Sequence, residues 1–155
     1  MKTENQTNQS TIQEKITHLF DVAKILKTTH IKQVIGNITD RQMRDITFAG
    51  VHISEKYKHT IDLYAIIHSM KKHGSEQTEN PRGQIAITRE DFEKIPDILD
   101  NYDHIVIDKN KRNQDVIIYQ KTYADGTTLY AEEVRVGRAE LAMGTLYKMK
   151  KAPQP

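Results

Sequence analysis

Hydrophobic residues near the N-terminus recur at intervals of three and four positions, which is the spacing of an amphipathic helix. Thr11 and Glu14 form a capping-box pattern that predicts where this helix begins. The apolar residues of its predicted buried face are Ile12, Ile16, Leu19, Phe20, Ala23 and Leu26. Residues 1–10 are almost entirely polar, so we expect a disordered leader before the helix. The helix itself is predicted to pack on the core or to bind a partner.

Shorter elements follow this helix. Residues 31–36 form a short β-prone run, and Thr39 is predicted to cap the short helix after it. A second long helix is predicted from near Thr60 to His73, where Gly74 follows three basic residues, an arrangement typical of a helix C-terminus with a left-handed glycine cap. Apolar residues occupy two faces of this helix, which predicts that it is mostly buried.

A polar loop comes next, and a further helix is predicted after it. Arg82 and Gly83 are expected to form a tight turn within the loop. Thr88 and Asp91 then match a capping box ahead of four apolar residues on one helical stripe. Pro96 lies inside this stripe and is predicted to kink the helix or restart it, because proline lacks the backbone N–H that a helix requires.

The hydrophobic period changes from 3.6 to 2 after this helix, which indicates strands. The predicted strands cover residues 104–108, 115–121, 127–136 and 140–149. Their connections are short, and Asp125-Gly126 is a hairpin signal, so neighbouring strands should be antiparallel. We therefore predict an α+β fold in which N-terminal helices pack on a C-terminal four- or five-stranded antiparallel sheet. Residues 11–150 should form one domain, and residues 151–155 a frayed tail.

Composition limits the functional classes. The chain has 155 residues, of which 37% are hydrophobic and 28% are charged, and this suits one polar, soluble domain. No run of 18 apolar residues is present, so no membrane span is predicted. The absence of cysteine excludes disulfides and Cys-ligated zinc. The net charge of +2 is too small to indicate nucleic-acid binding by itself.

Several short motifs occur in a characteristic order between residues 68 and 148. They are HxxxxHG at residues 68–74, RGQIAIT at 82–88, EDFEKIPDIL at 90–99, VIIYQK at 116–121 and GTLYK at 144–148. In this order and spacing, roughly residues 50 to 150 resemble the phage-associated and contact-delivered nuclease domains of the Barnase–EndoU–colicin–RelE class. The resemblance implies an α+β nuclease fold without a cofactor.

The resemblance also implies a catalytic site. Its matching positions are His73 in the HG motif, Lys121 in YQK, and Thr145 with Tyr147 in TLY. His68 matches the earlier histidine of HxxxxHG, in a catalytic or a structural role. Histidine can exchange a proton near neutral pH, while lysine and hydroxyl groups can hold a phosphate, so these residue types suit cleavage of RNA by its own 2′-hydroxyl.

Phosphate-binding candidates come from the loop and the strands. Arg82, Tyr119 and Arg135 are predicted to contact RNA. Glu132 and Glu133 lie near the predicted site and are expected either to hold Arg135 or the catalytic base, or to mark a less nuclease-like site.

No metal is expected, because the chain has no tight Asp/Glu cluster. His68 and His73 are five positions apart rather than the four of a helical zinc pair. His52, His59 and His104 are predicted to be scattered surface or strand residues.

Each catalytic candidate also has a structural interpretation. His73 is expected at a half-exposed helix end, where its loss should change stability little; His68 could be a hydrogen-bonded core histidine, and Lys121 a solvated strand-end residue.

The sequence therefore predicts a metal-independent endoribonuclease, a toxin domain that cuts tRNA or another RNA and leaves a 2′,3′-cyclic phosphate. A cognate immunity protein or antitoxin is the expected partner, and the cytoplasm of the host or target cell is the expected site of action. The alternatives are a catalytically inactive nucleic-acid- or protein-binding module of the same fold, and a metal-dependent phosphodiesterase.

Overall fold

The computed structural model describes residues 4–25 and 31–150. Its helices are α1 (Glu4–Ile25), α2 (Asp40–Phe48), α3 (Leu63–His73), α4 (Glu76–Glu79), α5 (Arg89–Glu93) and α6 (Ile95–Asn101). Its strands are β1 (Lys32–Asn37), β2 (Lys58–Asp62), β3 (Gln84–Ile85), β4 (His104–Lys109), β5 (Asp115–Tyr123), β6 (Gly126–Arg135) and β7 (Glu140–Met149). Within these ranges no helix is long and apolar enough to cross a membrane. The predicted tail at residues 151–155 lies outside the described residues.

All seven strands belong to one sheet, in the order β1-β2-β7-β6-β5-β4, with β3 paired to β7. Every pair is antiparallel except β2 with β7. The predicted α+β class and the four C-terminal strands are confirmed, and the sheet is larger than expected because β1, β2 and β3 join it. The strand β2 covers residues where the long helix was predicted to start. The helix α3 begins after this strand, and Asp62 caps it by accepting a hydrogen bond from the Ala65 N–H at 2.8 Å.

The middle of β7 lacks a strand neighbour on one side, and α3 covers the gap. β2 pairs with β7 only as far as Ala142, and β3 pairs with it only at Lys148 and Met149. Between these points the Leu146 N–H donates to Ser69 Oγ of α3 at 3.2 Å. A buried backbone donor must find a partner, so this serine replaces the missing strand contact and seats α3 against the sheet edge.

The hydrophobic core lies between the helices and one face of the sheet. The predicted face of α1 is buried at Ile16, Leu19, Phe20 and Ala23. The sheet contributes the fully buried Ile117, Tyr119, Tyr130, Leu141 and Leu146 to the same core. The helix α1 begins at Glu4, before the capping box at Thr11 that was predicted to start it. Near this end of the helix, Gln9 Nε2 donates to Asp100 Oδ2 at 2.8 Å.

Two other local predictions need correction. The helix α3 is not buried on both faces, because Tyr64 and His68 are exposed. Gly74 ends α3 as predicted, but with φ −91° rather than in the left-handed region. Glycine is required there because a Cβ would collide with the Met70 carbonyl oxygen. The predicted restart at Pro96 is confirmed, since α5 ends at Glu93 and α6 begins at Ile95.

A polar chain crosses the core beneath the sheet. His59 Nδ1 lies 2.7 Å from Glu132 Oε2, and His59 Nε2 lies 2.7 Å from Gln42 Oε1. Gln42 in turn donates to the Leu99 carbonyl at 2.7 Å. Both nitrogens of His59 therefore face acceptors, so each contact needs a hydrogen. His59 is a strand residue, which was one of its two predicted placements, and it is buried rather than at the surface. These contacts tie β2, β6, α2 and α6 together.

A second buried polar contact joins the end of β7 to α5. Lys148 is buried, and its Nζ lies 3.1 Å from Asp91 Oδ1 and 2.7 Å from Asp125 Oδ2. Burial lowers the pKa of Lys148, but the hydrogen bonds that Lys148 donates to Asp125 and Asp91 outweigh this effect and leave the pKa raised. Lys94 contacts Asp91 from a more exposed position, at 3.3 Å.

Lys148→Met should reduce the free energy of unfolding by about 3 kcal/mol, because it removes the buried partner of Asp91 and leaves this carboxylate with Lys94 as its remaining cation. Lys94→Met is the matched control and should cost about 1 kcal/mol or less, since Lys94 is partly exposed. Urea denaturation of the two variants measures the difference. Equal effects would show that Lys148 has no special role.

Candidate functional site

The face of the sheet opposite the core is the candidate site. Its side chains alternate with the buried ones on β5, β6 and β7. We call this surface the open sheet face; its residues are Val106, Asp108, Ile118, Gln120, Leu129, Ala131, Glu133, Thr145 and Tyr147. Most of them are exposed or half-buried, so the surface is accessible. The C-terminal end of α3 stands at one side of it.

His73 is held at this side by a carboxylate and an aromatic ring. Its Nδ1 lies 3.0 Å from Glu79 Oε2, and its ring stacks on Tyr147 with centroids 5.4 Å apart and planes at 28°. The carboxylate accepts, so Nδ1 carries a hydrogen, and Nε2 is the ring nitrogen that Glu79 does not engage. Nε2 has no hydrogen-bond partner among the described residues, and it is not one of their buried unpaired atoms. It is therefore the ring atom that can exchange a proton with a ligand.

Glu79 is fully buried and comes from α4, just after the loop that follows Gly74. Arg82, on the short turn after α4, places Nη1 3.7 Å from Glu79 Oε1, and half of its side chain remains exposed. Arg82 thus balances the buried carboxylate and still presents guanidinium surface to a ligand. Glu79 was not predicted, because an acidic residue in a polar loop carries no sequence signal for burial.

Thr145 and Tyr147 belong to β7 and lie beside His73 of α3. The Ser69 hydroxyl donates to Thr145 Oγ1 at 3.4 Å, so Thr145 is fixed by the same serine that seats α3. Burial, and then the charge of Asp108, raise the pKa of the half-buried Tyr147. The Tyr147 phenol therefore stays protonated at neutral pH and can donate a hydrogen bond. The structure brings together His73, Thr145 and Tyr147.

His68 lies on the exposed side of α3, where its ring stacks on Tyr64 at 6.0 Å. It is not a core histidine. Partial burial, followed by the charges of Lys72, His73 and Lys71, lowers its pKa, so His68 is mostly neutral at neutral pH. It contacts neither Glu79 nor the open sheet face in the described contacts.

Two predicted site residues lie elsewhere. Lys121 Nζ donates to the Asn101 carbonyl at 2.9 Å and closes the C-terminal end of α6, on the core side of the sheet. Tyr119 is fully buried in the core, where burial and Glu132 hold its pKa well above the usual value. Strand alternation explains both positions, because Ile117, Tyr119 and Lys121 share the core face of β5.

The far end of the open sheet face is rich in arginine. Arg135 Nη2 and Arg112 Nη2 each lie 3.3 Å from a Glu133 oxygen, so this glutamate holds both guanidinium groups. They border a surface cavity of about 480 Å³ lined by Arg112, Gln114, Arg135, Val136, Gly137 and Arg138. Of the two glutamates, Glu133 faces this site, whereas Glu132 is buried with His59. Within residues 4–25 and 31–150 no group of His, Cys, Asp or Glu could hold a metal ion.

Helices packed on a large mixed sheet, with a histidine–carboxylate pair beside its accessible face, make this an α+β protein whose architecture is consistent with a Barnase–EndoU–colicin–RelE-like fold. The chain belongs to the phage-Barnase-EndoU-ColicinE5/D-RelE like nuclease 3 family, whose model matches residues 32–153. This confirms the resemblance and supports a nuclease activity in general, and with it a nucleic-acid substrate. No curated protein and no solved structure matches the chain.

The burial of His73 reverses the expected effects of replacing the two histidines. His73→Ala should reduce the free energy of unfolding by about 2–4 kcal/mol, because it removes a packed ring and leaves Glu79 buried without its partner. His68→Ala should change it by about 0.5 kcal/mol or less, since His68 is exposed. Chemical denaturation of both variants measures this. A His68→Ala loss as large as that of His73→Ala would contradict the burial described here.

Proposed function

We propose that this protein is a metal-independent endoribonuclease whose catalytic histidine is His73. One observation carries the proposal: Glu79 holds His73 Nδ1 while Nε2 is left free beside the open sheet face. A carboxylate that orients an imidazole in this way also stabilises the imidazolium that forms when the ring accepts a proton. This is the arrangement expected of a general base.

In the proposed reaction His73 Nε2 removes the proton of a ribose 2′-hydroxyl. The 2′-oxygen then attacks the adjacent phosphorus, and the bond from phosphorus to the 5′-oxygen breaks. The departing 5′-oxygen takes up a proton from water, His73 releases the proton that it removed to solvent, and the other fragment ends in a 2′,3′-cyclic phosphate. His73, Thr145 and Tyr147 surround the reacting phosphate, and the two hydroxyls donate to its oxygens because both are protonated at neutral pH.

Charge supports a path for the RNA strand across the open sheet face. Arg82 lies at the His73 side, and Arg112, Arg135 and Arg138 lie at the opposite end. Arginine binds phosphate in a two-point geometry that fixes the backbone on both sides of a cleavage site. We assign Arg82 and Arg135 to phosphate binding. Lys121 and Tyr119 are left out of the proposed site, since they share the core face of β5.

The biological role we propose is that of a toxin domain acting on tRNA or another structured RNA in the cytoplasm of the host or target cell. Its producing cell then needs an immunity protein or antitoxin that covers the open sheet face. Such a partner should be acidic, because it must compete with phosphate for Arg82 and Arg135.

A second candidate is a binding module of the same fold without turnover. The observation that favours it is Glu133, which neutralises Arg112 and Arg135 at the surface where phosphate should bind. This candidate predicts association with RNA or protein, no cleavage, and no growth defect on expression.

Incubation with total RNA in excess EDTA tests the proposed reaction. We expect fragments with 2′,3′-cyclic phosphate ends, whereas a DNA strand of matching sequence should stay intact because it has no 2′-hydroxyl. Activity that returns only on addition of magnesium or manganese would indicate a metal-dependent phosphodiesterase. Intact RNA at micromolar concentrations of folded protein would contradict the proposal and favour the binding module.

A further inference from the structure

The outer edge of β4 is an unpaired strand edge. β4 pairs with β5 through six consecutive residues, His104 to Lys109, without a bulge. It is the last strand in the sheet order, and among the described strands none lies on its other side. An edge of this kind presents free N–H and C=O groups that can pair with another chain.

The other edges of the sheet are protected. β1, the outer strand at the opposite end, has a register shift between Val34 and Gly36, and such irregularities disrupt further pairing. The exposed part of β7 is covered by α3 through Ser69. The centre of β4 has neither a register shift nor a helix that covers its edge, and Val106 there keeps 46% of its surface exposed.

The hydrogen-bond pattern shows which groups of β4 are free. The Asn110 N–H donates to the Gln114 carbonyl at 3.1 Å just beyond the strand. Hydrogen-bonded pairs alternate along antiparallel strands, so the even-numbered residues of β4 bond to β5. The backbone groups of Ile105 and Ile107 therefore point outward, one on each side of Val106.

We propose that β4 pairs antiparallel with β4 of a second copy of this chain, with Val106 opposite the partner copy's Val106. In this register Ile105 faces Ile107, His104 faces Asp108, and Asp103 faces Lys109. In this antiparallel register, apolar residues of the two copies meet at the centre of the segment. Toward its ends, acidic residues of one copy meet basic residues of the other. The outward groups of Ile105 and Ile107 bond to each other across the axis.

The register also fixes how the two copies are arranged. Residues directly opposite one another in a sheet share a face, so both open sheet faces lie on the same side of the joined sheet. The pairing is isologous and closes on itself after two copies, which leaves no free β4 edge. A different protein could also add a strand here, but the charges along β4 match those of a second copy.

Sedimentation velocity and light scattering over a concentration series test the proposal. The wild-type chain should form a dimer. Val106→Lys should raise the dimer dissociation constant at least tenfold, because two lysines would meet directly across the axis. Val106→Ile is the matched control and should remain dimeric, since it keeps a β-branched apolar side chain. Circular dichroism verifies that both variants fold, which is expected because Val106 is exposed.

A charge exchange tests the register itself. His104→Asp sets two acidic residues opposite each other, and Asp108→Lys sets a lysine opposite histidine, so each single variant should weaken the dimer. The double variant H104D/D108K restores opposite charges and should recover the wild-type dissociation constant. A monomeric wild-type chain, a dimer unaffected by Val106→Lys, or a double variant weaker than both single variants would overturn the proposal. A wild-type monomer that pairs only with a different protein would assign the edge to that partner instead.

Discussion

The seating of α3 against the unpaired stretch of β7 is the contact on which the site depends. Ser69 satisfies the Leu146 N–H and also contacts Thr145, so one hydroxyl fixes both the helix and a neighbouring site residue. The helix then ends beside Tyr147, and His73 stacks on that ring as a consequence. Glu79 follows within the next turn of chain and orients the imidazole. The geometry of the candidate site derives from the way in which a sheet edge is closed.

Buried polar contacts hold the remaining parts of the fold in register. The contact of His59 with Glu132 and Gln42 joins two strands to two helices, and the contact of Lys148 with Asp91 locks the end of β7 to α5. Breaking a buried pair is costly because the remaining partner stays desolvated. These contacts therefore penalise alternative packings more strongly than an apolar contact of similar size would.

Local signals predicted much of the fold, and tertiary contacts account for what they missed. The capping box at Thr88, the restart at Pro96 and the four C-terminal strands depend on neighbouring residues, so they could be predicted. The role of Glu79 depends on its contact with His73, which forms only in the folded chain. In the same way, the burial of His59 depends on Glu132, which belongs to a different strand. The alternation of side chains along β5 predicts that Tyr119 and Lys121 share a face of the sheet. It does not show that this face is the one that packs on the core.

The central claim is that His73, and not His68, exchanges the proton during RNA cleavage. The most direct measurement is the single-turnover cleavage rate of His73→Ala and His68→Ala in EDTA, at a temperature where both variants are folded. The account predicts a loss of about two to four orders of magnitude for His73→Ala, the usual contribution of one proton-transfer group, and a rate near wild type for His68→Ala. A folded His73→Ala variant that cleaves RNA at the wild-type rate would contradict it.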